Sequence, residues 1–100
     1  MIIKIPALNT SELTAMEELK KIESEFNEVK EAFFKPDIDN LISEVLDLQQ
    51  TCTTMLDILG AEEKDINRHY YKLKSYEAQG KYKLKGHFEI KFIPYEEDVL

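Results

Sequence analysis

The 100-residue sequence predicts a mainly α-helical chain, an antiparallel bundle of three main helices followed by a small C-terminal β-hairpin or strand. Three observations carry that expectation. Apolar residues recur at three- and four-residue steps through two long segments and, more thinly, through a third. Helix-stopping residues separate the segments, at Lys35-Pro36 and at Gly60, and Gln79-Gly80 closes the third. After Gly80 the apolar period changes from 3.6 to 2.

Residues 1–8 read as a short strand stopped by Pro6. Asn9 then offers an N-cap with Glu12 three positions on, a capping box with Asn in the usual Ser or Thr place. Leu13, Met16, Leu19, Ile22, Phe26, Val29 and Phe33 follow as one apolar stripe, and this first helix ends near Phe34, since a residue before proline leaves the α region. Asp37 caps the second helix, with Asp39 at the positive end of its dipole. The stripe there is wider, from Ile38, Leu41, Ile42, Val45, Leu46 and Leu48 through Cys52, Met55, Leu56 and Leu59 to the stop at Gly60, so a central helix with more than one neighbour is expected. Glu62 and Glu63 open the third helix, whose stripe is only Ile66, Tyr70 and Leu73, with His69 and Tyr76 on one flank. Stripes this unequal leave apolar surface uncovered in a single copy, which favours a homodimer or homotetramer. Beyond Gly80, Tyr82, Leu84, Phe88, Ile90 and Phe92 alternate with polar residues, the pattern of a hairpin turning at Lys85-Gly86-His87 and a candidate surface for β-pairing. The whole reads as a single domain over 1–100, with a helical core at 9–80, a β-like segment at 81–95 and a solvated acidic tail, Glu96-Glu97-Asp98.

Composition narrows the function classes. A hydrophobic share of 43% and a charged share of 33% belong to a folded globular chain. A net charge of -7 argues against binding a nucleic-acid polymer, which needs a basic face. The single Cys52 excludes an internal disulfide, there is no zinc-ligand spacing, and its place on the stripe reads as a buried thiol. No apolar run is long enough to span a bilayer and the opening residues are too few for a secretion signal, so no membrane partner and a cytoplasmic location are expected.

The chemistry-bearing feature is a pair of acidic motifs, Glu25-x-x-Glu28 and Glu44-x-x-Asp47, on the first two helices. Either alone is an ordinary solvent face. Together they are more, because at roughly 100° per residue each pair flanks its stripe in the same sense, and paired helices would aim all four carboxylates into one crevice. Crowded like charges call for something positive among them. Four oxygen donors without histidine suit Mg²⁺, or Mn²⁺, rather than zinc. A di-iron bundle site would need Glu-x-x-His, and the residue three before His69 is Ile66.

With fifteen residues between Glu28 and Glu44, this pattern resembles the all-α MazG-like nucleotide pyrophosphohydrolases, whose motif runs E-E-x-x-E and then E-x-x-D. The likeness covers about residues 12–80, taking in the run to Leu59-Gly60 and a partial match at His69-Tyr70-Tyr71-Lys72 and Gln79-Gly80. It implies a Mg²⁺-dependent hydrolase that splits a nucleoside triphosphate, NTP or dNTP, into monophosphate and pyrophosphate, a house-cleaning activity on the nucleotide pool. Metal binding would fall to Glu25, Glu28, Glu44 and Asp47, with Glu25 or Glu28 also serving catalysis by orienting or deprotonating the attacking water. His69 and Lys72 would meet the substrate; each also has a plainer reading, as a packing residue and a solvated lysine. Ser24 stands where the motif's first glutamate is usual, Tyr70 replaces an asparagine and Gln79 lies near an expected arginine. Those departures define the alternative, a non-catalytic helical interaction or regulatory module that keeps the fold. A plain coiled-coil assembly factor is disfavoured, since neither stripe holds a strict heptad and both are interrupted within about 25 residues.

Overall fold

The computed structural model describes residues 4–89 and 92–95. It contains α1 (Ala15–Phe33), α2 (Ile38–Ile58) and α3 (Glu63–Ala78), and no strand among the described residues, so the chain is mainly α. It divides into two compact units, one from Lys4 to Glu63 and one built on the residues from Lys64 on.

The first unit is a helical hairpin. Only four residues separate α1 from α2, and the two helices pack directly on each other as antiparallel neighbours. Asp37 caps α2 as the sequence implies, its Oδ1 accepting the Asn40 N–H at 3.1 Å. The start of α1 differs from expectation. Thr14, not Asn9, is the N-cap, its Oγ1 accepting the Glu17 N–H at 3.1 Å, so the capping box is Thr14-x-x-Glu17. Asn9 instead folds an Asx turn onto the Ser11 N–H, and residues 4–8 are irregular rather than a strand. That N-terminal segment is tied to α2, where the Gln50 side-chain amide donates to the Pro6 carbonyl at 2.8 Å. Gly60 terminates the hairpin with φ +70 as the left-handed residue of a Schellman motif, in which Ala61 N–H reaches Leu56 O at 2.9 Å and Gly60 N–H reaches Asp57 O at 3.0 Å.

The helix–helix seam is not the apolar stripe that periodicity suggests. On α1 it follows Glu18, Ile22, Glu25, Val29 and Ala32; on α2 it follows Leu41, Glu44, Leu48, Thr51, Met55 and Ile58. Ala32 is the one buried apolar residue among the described ones, while Glu18, Thr51 and Thr54 are withdrawn from solvent. Both threonines turn their hydroxyls back onto α2, Thr51 to Leu48 O at 2.8 Å and Thr54 to Gln50 O at 3.0 Å, which lets small polar side chains sit in a dry seam. Leu19, Phe26, Phe33, Ile38, Ile42, Val45, Leu56 and Leu59 remain 46–66% exposed. Cys52 is exposed too, correcting the expectation of a buried thiol. The reason is geometric: one neighbouring helix covers a narrow seam, and each stripe is wider than that seam.

In the second unit α3 ends in another Schellman turn, Lys81 N–H to Tyr76 O at 2.9 Å, with Gly80 at φ +78. The expected C-terminal hairpin does not form among the described residues; 81–89 and 92–95 are irregular, and Ile90, Lys91 and the acidic tail lie outside them. An isolated two-stranded ribbon is marginal in water. Here the chain takes local partners instead: the Leu84 N–H donates to the Glu77 carboxylate at 2.7 Å, and Leu84 and Phe88 turn towards α3. Among the described residues no helix is long and apolar enough to cross a membrane.

Candidate metal centre

Three of the four carboxylates singled out by sequence converge. One oxygen from each of Glu25, Glu28 and Glu44 lies within 4.8 Å of the others, and no further described residue joins that group. Glu25 and Glu44 sit in the seam and are half-buried; Glu28 lies beside it, exposed. Asp47 is exposed and stays outside the group, yet its negative charge still acts on both Glu25 and Glu44. Helical spacing accounts for the difference: Glu25 and Glu44 fall on the seam positions, whereas Asp47 lies one step round towards water.

The electrostatics are one-sided. The Glu25 carboxyl is held above its ordinary value, chiefly by a hydrogen bond shared with Glu28, then by burial and by the charges of Glu28, Asp47 and Glu44. Glu44 is raised by burial first, then by the Glu28 charge, a hydrogen bond with Glu28 and the Asp47 charge. Every influence raises, and no cation among the described residues offsets them. Each of Glu25 and Glu44 also keeps one oxygen, Oε2, shut away from solvent with no hydrogen-bond partner. A buried acceptor without a donor is costly, and a cluster of them is relieved by protons or by a cation. Two orphaned oxygens beside a third carboxylate therefore fit a hard divalent ion with an all-oxygen preference.

His69 and Lys72 lie on α3, in the other unit. The Lys72 Nζ stands 6.0 Å from the Tyr76 ring centre. His69 lines a cavity of about 310 Å³ with Ile66, Tyr70, Leu73, Leu84, Gly86, His87 and Phe88. His87 was not among the residues the sequence singled out, because strand alternation assigned it to a polar turn; Tyr70 and His87 in fact meet edge to face at 6.1 Å.

Comparison with known proteins adds no assignment: no family model, no curated protein and no solved structure matches this chain.

Proposed function

We propose that the chain is a Mg²⁺-dependent nucleoside triphosphate pyrophosphohydrolase of the cytoplasm, working as a helical bundle completed by further copies of itself. The observation that carries this reading is the convergence of Glu25, Glu28 and Glu44 with two carboxylate oxygens left unpaired and out of water. The motif resemblance supplies the substrate class. A Mg²⁺ held by Glu25, Glu28 and Glu44 would supply Lewis-acid chemistry, offsetting the charge that develops on departing pyrophosphate. The chain's own residues supply the rest. Glu25, Glu28 and Glu44 hold the cation, with Asp47 adding negative charge at longer range. A carboxylate of the Glu25–Glu28 pair takes the proton from the water that attacks the α-phosphorus as the bond to the β-phosphate oxygen breaks. The motif resemblance also implies His69 and Lys72, on α3, as substrate contacts.

A panel of NTPs and dNTPs with Mg²⁺, read by pyrophosphate release, tests the reading. Turnover of at least one substrate, abolished in Glu44→Ala, is expected; no pyrophosphate from any substrate, or full turnover in Glu44→Ala, refutes it. The second reading, a non-catalytic module, draws on the exposed apolar rows of α1 and α2, which offer contact surface without needing chemistry. It predicts a melting temperature unmoved by Mg²⁺ plus nucleotide.

A further inference from the structure

The net charge of -7 is unevenly divided along the chain. Residues 4–63 hold fourteen acidic and five basic side chains, whereas 64–95 hold eight basic and three acidic ones, together with all five tyrosines. The basic side chains of this second stretch are ordered. On α3, Lys64, Arg68 and Lys72 stand four residues apart and form one ridge, with a rise of about 6 Å per step and Tyr76 as its next position. At roughly 100° per residue the three basic positions lie on the side of α3 away from Ile66, Tyr70 and Leu73, which face the cavity shared with Leu84 and Phe88. Past the end of the helix the ridge goes on. Lys72 and Lys81 both set their ammonium groups over the Tyr76 ring, at 6.0 and 4.8 Å from its centre, and that ring lies 6.0 Å from Tyr82. Lys64, Arg68, Lys72 and Lys81 are all exposed, as are Tyr71, which falls on the same side of α3, and Tyr82. Asp65, the acid on this side, pairs with Arg68 at 3.3 Å in the open, a contact worth little and readily exchanged for another anion.

We propose that this ridge binds single-stranded nucleic acid, with Lys64, Arg68, Lys72 and Lys81 on backbone phosphates and Tyr71 and Tyr82 stacked on bases. Charge selects a polyanion. A line of cations at steps of one helical turn suits the regularly spaced phosphates of an extended strand, and exposed rings among those cations suit bases, which an acidic polypeptide lacks. The same rings select a single strand over a duplex, whose bases have no free faces to offer. A lipid surface would need the cations to flank an apolar face, and α3 turns its apolar row the other way. The whole-chain charge that argues against a nucleic-acid polymer belongs to α1 and α2, and this unit carries the opposite sign. The inference does not rest on the hydrolase reading, since it uses neither the acidic cluster nor a divalent ion.

Fluorescence anisotropy of the full chain in EDTA, with a labelled oligothymidylate of about ten nucleotides, tests it. EDTA keeps the divalent site out of the measurement, so a failure here leaves the hydrolase reading to its own assay of pyrophosphate release. Saturable binding is expected, and for four phosphate contacts the logarithm of the affinity should fall against that of salt with a slope of about -2.8, roughly fiftyfold between 50 and 200 mM. Replacing two contacts together, Arg68→Gln with Lys72→Gln, should flatten that slope by about 1.4. Tyr82→Leu, which keeps an apolar neighbour for Tyr76, should weaken binding at least about fivefold and leave the slope alone. Should a variant fail to fold, competition against the wild-type complex decides. No binding at low salt, a slope unmoved in the folded double variant, full affinity in folded Tyr82→Leu, or equal competition by polyglutamate, by a duplex of the same length or by phosphatidylserine vesicles overturns the proposal.

Discussion

Adding Mn²⁺ or Mg²⁺ to the chain near neutral pH should raise its melting temperature, and the pH dependence of that rise is fixed by Glu25 and Glu44. Both carboxyls are raised from 4.5 in the fold. Below that ordinary value folded and unfolded chains are both protonated there, and the site costs nothing. Between it and the raised values the folded chain holds up to two protons that the unfolded chain has released. Stability of the ion-free protein therefore falls as pH climbs through this window, and the full penalty persists above it. A cation must displace those protons, so its affinity should grow by up to about two powers of ten per pH unit inside the window and level off beyond it. At a hundredfold excess over Kd the ion adds about 2.7 kcal/mol. For a chain of this size each kcal/mol moves Tm by roughly 4–8 °C, giving a shift of roughly 11–22 °C. Differential scanning fluorimetry across pH, with Glu25→Gln and Glu44→Gln alongside, reads all of this. Both variants should be steadier than wild type without ion near neutral pH and respond weakly to it. An equal response in wild type and variants, or a larger one on the acid side, refutes the reasoning.

Three further outcomes are expected. Thr14→Ala removes the cap of α1 and should cost about 1 kcal/mol in urea unfolding, while Asn9→Ala, whose side chain serves only a turn, should leave α1 helicity unchanged by circular dichroism. Gly60→Ala places a Cβ at φ +70, with open space around it, so the cost should be purely conformational, about 1–2 kcal/mol by the same measurement. If the chain hydrolyses nucleotides, Lys72→Ala should raise KM severalfold with little change in kcat, the signature of lost phosphate binding rather than lost chemistry.

Local signals in the sequence were legible where one residue decides the outcome. Pro36, Asp37, Gly60 and Gly80 each act through their own backbone or cap geometry, and the helices stop or start beside them. The convergence of Glu25, Glu28 and Glu44 was also readable, since helical spacing and a short connection suffice to bring them together. What periodicity did not disclose is which part of a wide stripe meets a neighbour. Phe26 and Val45 satisfy the apolar pattern as well as Val29 and Leu48 do, yet the seam takes the latter pair, and Asp47 follows the outward side. The alternation at 82–88 failed for another reason. A strand needs a partner for its peptide groups, and at Leu84 a side chain from α3 supplies one first.

The seam placement of Glu25 and Glu44 has a mechanical side. Glu25 lies near the middle of α1 and Glu44 in the first third of α2, on helices whose near ends are joined through the Asp37 cap, so repulsion there would work as a wedge driven between two tongs. Protons or a divalent ion would withdraw the wedge, and their removal would load the seam with the repulsion of like charges. At the far end the hairpin is fastened again, where the Gln50 amide holds the Pro6 carbonyl and the Thr10 hydroxyl meets Asp57, so a strain set up at the two carboxylates is contained between two clasps.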